Sequence, residues 1–488
     1  MVRMNHIKIK QSLDFRSVAW ALYHLPFVCS YDQMMQDHAG ASGIAEGYRY
    51  RFDQNIREGK AVSHIIRTLL IACAVGAAGS ALAPSQVMAQ SVACPVKIGG
   101  VLSLTGSMGS VGKNIANSAQ LAVQHINGGG GVKGCPVELV LRDDQGQPNV
   151  GVDAAKFLVE VERVAALTAA ISSGVTIPVL TSVSVPSKIP QIACCSSAPI
   201  LTTMAQEGKT GGFFFRTFPT VKNLAYPPAK IAAERGWKRI AMIYVNTDYG
   251  TSLVKDFTRA TEAFGGKVVK AVGFNENQAS YRAEVASALA EKPDAMFLVA
   301  FPQDGATIAR EWISLGGTQN LILNNALRSP DFVKAVGGKY LAKAFGTDNA
   351  SAAGPSVNVF KDAFEAEFKA SAAGPGIYNI YDAVMVLGLA MNIAPDLSGT
   401  AIRDAIRKVH VAGGETVSTG PAEFKKALGL IGKGAPIKYL GATGPVEFDA
   451  NGDVSGPALA WRVDGTDLVI DRSFSTEDMQ KLFKEIDG

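Results

Sequence analysis

The segment Val96–Asp144, VKIGGVLSLTGSMGSVGKNIANSAQLAVQHINGGGGVKGCPVELVLRDD, decides how the rest of the chain is read. It divides into an apolar strand (Val96–Leu104), a Gly/Ser loop (Thr105–Lys113), a helix (Asn114–Ile126), a glycine turn (Gly128–Gly131) and a second strand (Val137–Leu141). That is one βαβ unit, and its spacing predicts a parallel sheet covered on both faces. Ligands of such sheets bind beyond the carboxyl ends of the strands. The loop Thr105–Lys113 and the pair Asp143–Asp144 fall at that edge.

The alternation continues on both sides of this unit. A helix (Val150–Glu162) and a strand (Ala165–Ile171) lead to Ser172-Ser173-Gly174, and a strand at Gln191–Ala193 leads to Cys194-Cys195-Ser196-Ser197-Ala198. Two small-residue loops after consecutive strands can turn backbone N–H groups and hydroxyls on an anion such as a carboxylate; ordinary serine N-capping is the alternative for each alone. A second α/β series begins at Leu224. Its strands are Arg239–Tyr244, Lys267–Phe274, Ala295–Ala300 and Asn320–Leu323, and their ends offer Tyr249, Phe301 and Asn325 to whatever faces them. Further helices are expected at Val357–Ala370, Tyr378–Ile393 and Thr400–Val409. A strand is expected at Gly444–Asp449, then a hairpin of Pro457–Val463 and Leu468–Ile470 turning at Asp464-Gly465.

Bulk properties narrow the class. At 488 residues the chain is long enough for two lobes, and 47% hydrophobic against 18% charged residues is an ordinary globular balance. A formal charge of +4, with no basic stripe bearing interleaved aromatics, argues against nucleic-acid binding. None of the six cysteines sits in a C-x-x-C pair and no histidine accompanies them, so no metal site is expected. His125, in a helix, reads as structural.

Residues 1–61 do not resemble the rest and remain an unassigned extension. Arg67, the apolar run Leu69–Ala83 and the small residues before Ala89 read as a secretory signal over 62–89, cut after Ala89. The run is shorter than the roughly 20 residues a membrane span needs. Val62 would serve as a start if the first codon is called too early. Export permits disulfides. Cys94 and Cys135 each stand just before one of two neighbouring parallel strands, which suits a bridge, with two buried thiols as the alternative.

Leu121-Ala122-Val123, Ile126-Asn127, Gly130-Gly131-Val132, Gly134, Leu139-Val140, Asp143-Asp144 and Pro148 follow one another in an order that resembles the type I periplasmic solute-binding proteins of branched-chain amino-acid (Leu/Ile/Val) ABC transporters. Ser172-Ser173-Gly174, Asp248-Tyr249-Gly250, Phe448-Asp449 and Gly452-Asp453 extend the likeness over about 96–471. The resemblance implies an α/β fold of two Rossmann-like doubly wound lobes joined by three crossovers, near Phe218, Thr347 and Ser455, and closing like a flytrap. Lobe one then holds 90–218 and 348–455, and lobe two 219–347 and 456–488.

It also implies a ligand carboxylate held by Ser173, Ser197 and the backbone around Cys195 and Ser196, with Tyr249 closing from lobe two beside Phe301. The acidic residue that holds the ligand's ammonium in Leu/Ile/Val binders falls at Asn325, or at Asn324 with a one-residue slip. A neutral amide there admits a carboxylate without an α-amine as readily as an amino acid. The vicinal pair Cys194–Cys195 reads as two thiols lining the pocket, with a strained ring as the alternative.

Enzymatic readings fare worse. The glycines Gly106, Gly109 and Gly112 are spaced G-x-x-G-x-x-G, not G-x-G-x-x-G. A P-loop would need Gly at Ser107 and Ser or Thr at Asn114. A hydrolase lacks a histidine near any G-x-S-x-G. The expectation is therefore a non-enzymatic, cofactor-free, periplasmic monomer that delivers a small amino acid or aromatic or branched carboxylate to an inner-membrane ABC permease. The alternative is a sensing module of the same fold.

Overall fold

The structure is a computed structural model, and it describes residues 93–352 and 354–488. The extension, the signal segment and the cut at Ala89 lie outside the described residues. Three sheets carry the described chain. The first holds β1 (Val96–Leu102), β2 (Val137–Asp143), β3 (Ala166–Ala169), β4 (Gln191–Ala193) and β5 (Phe214–Arg216), in the order β2-β1-β3-β4-β5. Every neighbouring pair in it is parallel.

The second sheet has seven strands. β6 (Arg239–Val245), β7 (Lys267–Phe274), β8 (Ala295–Val299), β9 (Leu321–Leu323) and β10 (Phe345–Asn349) pair in parallel. Beside β10, the hairpin β14 (Ala458–Asp464) and β15 (Asp467–Phe474) adds two antiparallel strands, giving the order β15-β14-β10-β9-β8-β6-β7. A small third sheet joins β11 (Glu415–Val417), β12 (Ile437–Gly441) and β13 (Gly444–Pro445). The chain thus leaves the first sheet after β5, leaves the second after β10 and re-enters it at β14. This is the two-lobed α/β architecture expected from the alternation of elements.

Helices cover the sheets because their apolar positions recur at helical spacing. In Gly109–Gly128 the buried residues Val111, Ile115, Ala119, Ala122 and Ile126 line one face. That face packs on Ile377–Ile393, a helix buried on nearly every side. Among the helices facing the cleft, the starts depart from expectation. The first begins at Gly109, so the Gly/Ser loop shrinks to Thr105 and one turn at Gly106–Met108. The reason is tertiary. A Cβ on Gly112 would lie 1.8 Å from the Ser103 carbonyl oxygen, and one on Gly250 1.9 Å from that of Val245. Each glycine lets a helix start directly over the end of its strand.

Other elements shift for similar reasons. Helices begin at Ser173, Asp248 and Pro302, where the sequence pattern places the starts at Pro178, Thr251 and Ala306. The strand expected over Gly444–Asp449 stops at Pro445. Beyond it, Asp449 caps its own turn, accepting from the N–H groups of Asn451 and Asp453 at 2.8 and 2.9 Å, so those groups are not available to a ladder. The hairpin turns at Gly465-Thr466, since Asp464 pairs with Asp467. A disulfide joins Cys94 to Cys135 with their Cα atoms 5.3 Å apart, beside the paired starts of β1 and β2.

Candidate functional site

The carboxyl ends of β3 and β4 in the first sheet face those of β6, β8 and β9 in the second, across a cavity that opens partly to solvent. Met108, Val111 and Ile115 come from the first helix and its lead-in turn. Ile171, Ser172 and Ser173 follow β3, and Cys195 follows β4. The facing wall is Tyr249 after β6, Phe301 and Pro302 after β8, and Asn325 and Ala326 after β9, with Pro375 at the rim. Apolar walls with a few convergent polar groups are the ordinary make-up of a small-molecule site. Next to Met108, Ser107 donates its hydroxyl proton to Glu276, and the turn Gly106–Met108 packs on the helix Pro302–Ser314.

Five residues singled out from the sequence meet here: Ser173, Cys195, Tyr249, Phe301 and Asn325. Tyr249 and Phe301 stack with ring centroids 6.3 Å apart at 22°. The Tyr249 hydroxyl donates to Asn325 Oδ1 at 2.8 Å and accepts from Asn324 Nδ2 at 2.9 Å. Burial raises the Tyr249 phenol above its ordinary pKa, so it keeps its proton. Ser173 Oγ accepts from the Ala198 N–H at 3.2 Å.

Ser196 and Ser197 are not among the residues that line the cavity. Both are fully buried. The Ser196 hydroxyl lies 2.5 Å from Thr176 Oγ1 and 3.1 Å from the Ala170 carbonyl, so it ties the two loops together behind the wall. The pair Asp143–Asp144 also serves the scaffold. Asp143 accepts from the N–H groups of Leu104 and Gln145 and from the Thr105 hydroxyl, and Asp144 from Ser103 and Gly146. His125 lies 2.7 Å from the Tyr381 hydroxyl, a structural contact as expected.

Cys194 and Cys195 are free thiols with sulfurs 2.8 Å apart. Burial first, then the neighbouring sulfur, raises the Cys195 thiol well above its ordinary pKa, so it faces the cavity protonated. Among the described residues no group of His, Cys, Asp and Glu is arranged to hold a metal ion.

Several contributors escaped the sequence reading. Met108, Ile171 and Pro375 carry no chemical signature; only the packing of elements distant in sequence brings them to the wall. Arg216 is fully buried, its Nε 2.7 Å from Asp453, and its Nη1 donates to the carbonyls of Ser196 and Ala198 at 3.0 and 3.1 Å. It thereby holds the loop that carries Cys195. Arg328 meets Asp348 at 3.4 Å, and burial lifts the Asp348 carboxyl to about 6 despite the guanidinium. Arg328 lines a second chamber that shares Val111 and Pro375 with the cavity.

Residues 95–432 match the model of a family described as periplasmic binding protein. A chemotactic signal transduction system substrate-binding protein of Halobacterium salinarum is 26% identical over 73% of this chain and 84% of its own length. A Leu/Ile/Val-binding protein of Rhizobium johnstonii is 28% identical over 51% of this chain and 67% of its own. Among solved structures, a leucine-binding protein of Thermotoga maritima superposes with a TM-score of 0.66 at 21% identity, covering 78% of this chain and 99% of that one. A solute-binding protein of an ABC transporter from Rhodopseudomonas palustris, in complex with 3,4-dihydroxybenzoic acid, superposes at 0.62 with 20% identity, over 78% and 97%. At such identities the structural likeness speaks for the fold alone.

Proposed function

This chain belongs to the periplasmic binding protein family, and from that premise we propose that it is the exported substrate-binding protein of an ABC importer, which captures an amino acid or related small carboxylate between two lobes. The observation that carries the reading is the cavity itself, walled from both sides by strand ends of two separate sheets. In this reading lobe one is 90–218 with 348–455, lobe two is 219–347 with 456–488, and the three passages between them are the hinge. The ligand carboxylate docks against Ser173 and the loop at Cys195. Tyr249, Phe301 and Asn325 then close over it. Only a ligand that binds the closed form better than the open one drives that swing. The closed form is what an inner-membrane permease reads.

The segment 62–89 directs export, and the mature protein acts as a monomer without catalysis or cofactor. A sensing role is the second reading, and the Halobacterium relative, a chemotactic substrate-binding protein, favours keeping it in the test.

A thermal-shift screen of the exported protein against small carboxylates tests the binding reading. A ligand at a thousand times its dissociation constant adds about 4 kcal/mol of stability. Ser173→Ala is expected to weaken the hit by about tenfold, since one hydrogen bond to a charged group is lost. Unchanged affinity removes Ser173 from the site. Uptake of the hit by cells with and without the gene then separates transport from sensing: uptake that does not depend on the gene refutes the importer assignment.

A further inference from the structure

We infer that the cavity selects a small acid without an amino group, and that it takes a second acceptor oxygen of that ligand, such as a keto oxygen, at Asn325. The inference rests on the ligand-binding reading above and narrows its ligand class.

The argument follows one chain of hydrogen bonds. The Ala300 backbone N–H points at Asn324 Oδ1, 3.3 Å away. A backbone N–H can only donate, so it sets the orientation of the Asn324 amide: oxygen toward Ala300, NH₂ toward Tyr249. Asn324 Nδ2 donates to the Tyr249 hydroxyl at 2.9 Å. A phenol has one proton. Having received one hydrogen bond, Tyr249 sends that proton to Asn325 Oδ1 at 2.8 Å. That bond turns the oxygen of Asn325 toward Tyr249 and leaves its NH₂ for the cavity the residue lines. Polarity at the lobe-two end of the site is fixed as a donor by a backbone amide three residues away in the relay.

The opposite wall repeats that polarity. Ser173 Oγ already accepts from the Ala198 N–H, which leaves its own proton to give. An ammonium brings three donors and no acceptor. Against Asn325 it meets another donor, and no side chain on the cavity wall carries a negative charge. Burying it there leaves it without a charged partner, at a cost the rest of the ligand must offset. A carboxylate with a keto or hydroxyl oxygen instead offers acceptors to both ends. Between them the Tyr249 and Phe301 rings add apolar surface to the wall, suited to a branched or aromatic body. Of the charged groups lining the adjoining chamber, Asp331 is exposed, and the half-buried Arg328 is paired with Asp348 at 3.4 Å.

The test is calorimetric titration of the exported protein, dialysed free of ligand, with matched pairs: leucine against its α-keto acid, and phenylalanine against phenylpyruvate, with benzoate alongside. The expected result is that at least one keto acid binds about 10–100-fold tighter than its amino acid, the cost of one unmatched buried donor. Asn325→Asp keeps an acceptor for Tyr249 but turns a carboxylate oxygen to the cavity, and is expected to reverse the ranking. Tyr249→Phe releases the Asn325 amide to rotate and is expected to narrow the gap, which keeps the test open if the first variant does not fold. An amino acid that binds as tightly as its keto acid overturns the inference and leaves the solute-binding reading standing. Binding by none of the five compounds overturns both.

Discussion

Replacing Tyr249 by phenylalanine removes one oxygen atom and, with it, the hydrogen bonds of 2.8 and 2.9 Å to Asn325 and Asn324. The two losses are unequal. Asn324 is 1% exposed and sits behind the wall, so its NH₂ is left buried without a partner. An orphaned buried donor costs about 1–3 kcal/mol. Asn325 lines the cavity, where its amide can rotate and find water, so its share is close to nil. Deleting the hydroxyl also removes the cost of burying it, but that group was fully satisfied and little is recovered. The ligand-free protein should therefore lose about 1–3 kcal/mol. Urea denaturation of the ligand-free variant is the assay, with the loss read as a lower midpoint at unchanged slope. Asn324→Ala should cost a similar amount, and the double variant little more than either single one, because both changes break the same bond. A midpoint at or above that of the wild type, or additive losses, would refute the relay.

Cys135→Ser should lower stability by about 4 kcal/mol, the chain-entropy value for opening a loop of this length, since 41 positions separate the bridged cysteines. A reducing agent should bring the wild type down to the variant and leave the variant unmoved. If reduction leaves the wild-type midpoint where it was, the bridge is not holding β1 to β2. Asp382 supplies a pH test. It is fully buried, accepts from Tyr439 Oη and from the backbone of Ala442 and Thr443, and burial still lifts its carboxyl to about 6. A carboxyl with a pKa raised above its unfolded value near 4 favours folding most when protonated. Its contribution is complete below about pH 4 and is lost as pH rises through about 6. Between about pH 7.5 and 5 the wild type should gain about 1 kcal/mol relative to Asp382→Asn, which cannot titrate. Parallel stability curves for the two would rule that account out.

Much of the architecture was legible because it is written locally. Runs such as Lys267–Phe274 and Gln191–Ala193 fall where the apolar and β-branched residues lie, and the observed strands have those same bounds. The capping box of Ser475 and Asp478 that opens the last helix was equally readable, as S-x-x-D, and was overlooked. β10 was missed for a different reason. Phe345–Asn349 is half polar, and only its place between β9 and β14 makes it a strand.

By itself, the sequence determined the two α/β series, the ends of their strands and hence the edge at which the cavity lies, because periodicity and turn chemistry act over a few residues. It also named five residues of the cavity wall. Tertiary structure alone decided what those residues can do. Ser196 and Ser197 share composition and loop with Cys195, yet they face inward, since Arg216 and Thr176 hold that loop from behind. Asn325 reads simply as an amide. Which of its two ends is left for the cavity depends on Tyr249, Asn324 and the Ala300 N–H, contributed by three separate strand ends, and hydrogen-bond direction passes between them only once the sheet has brought them together.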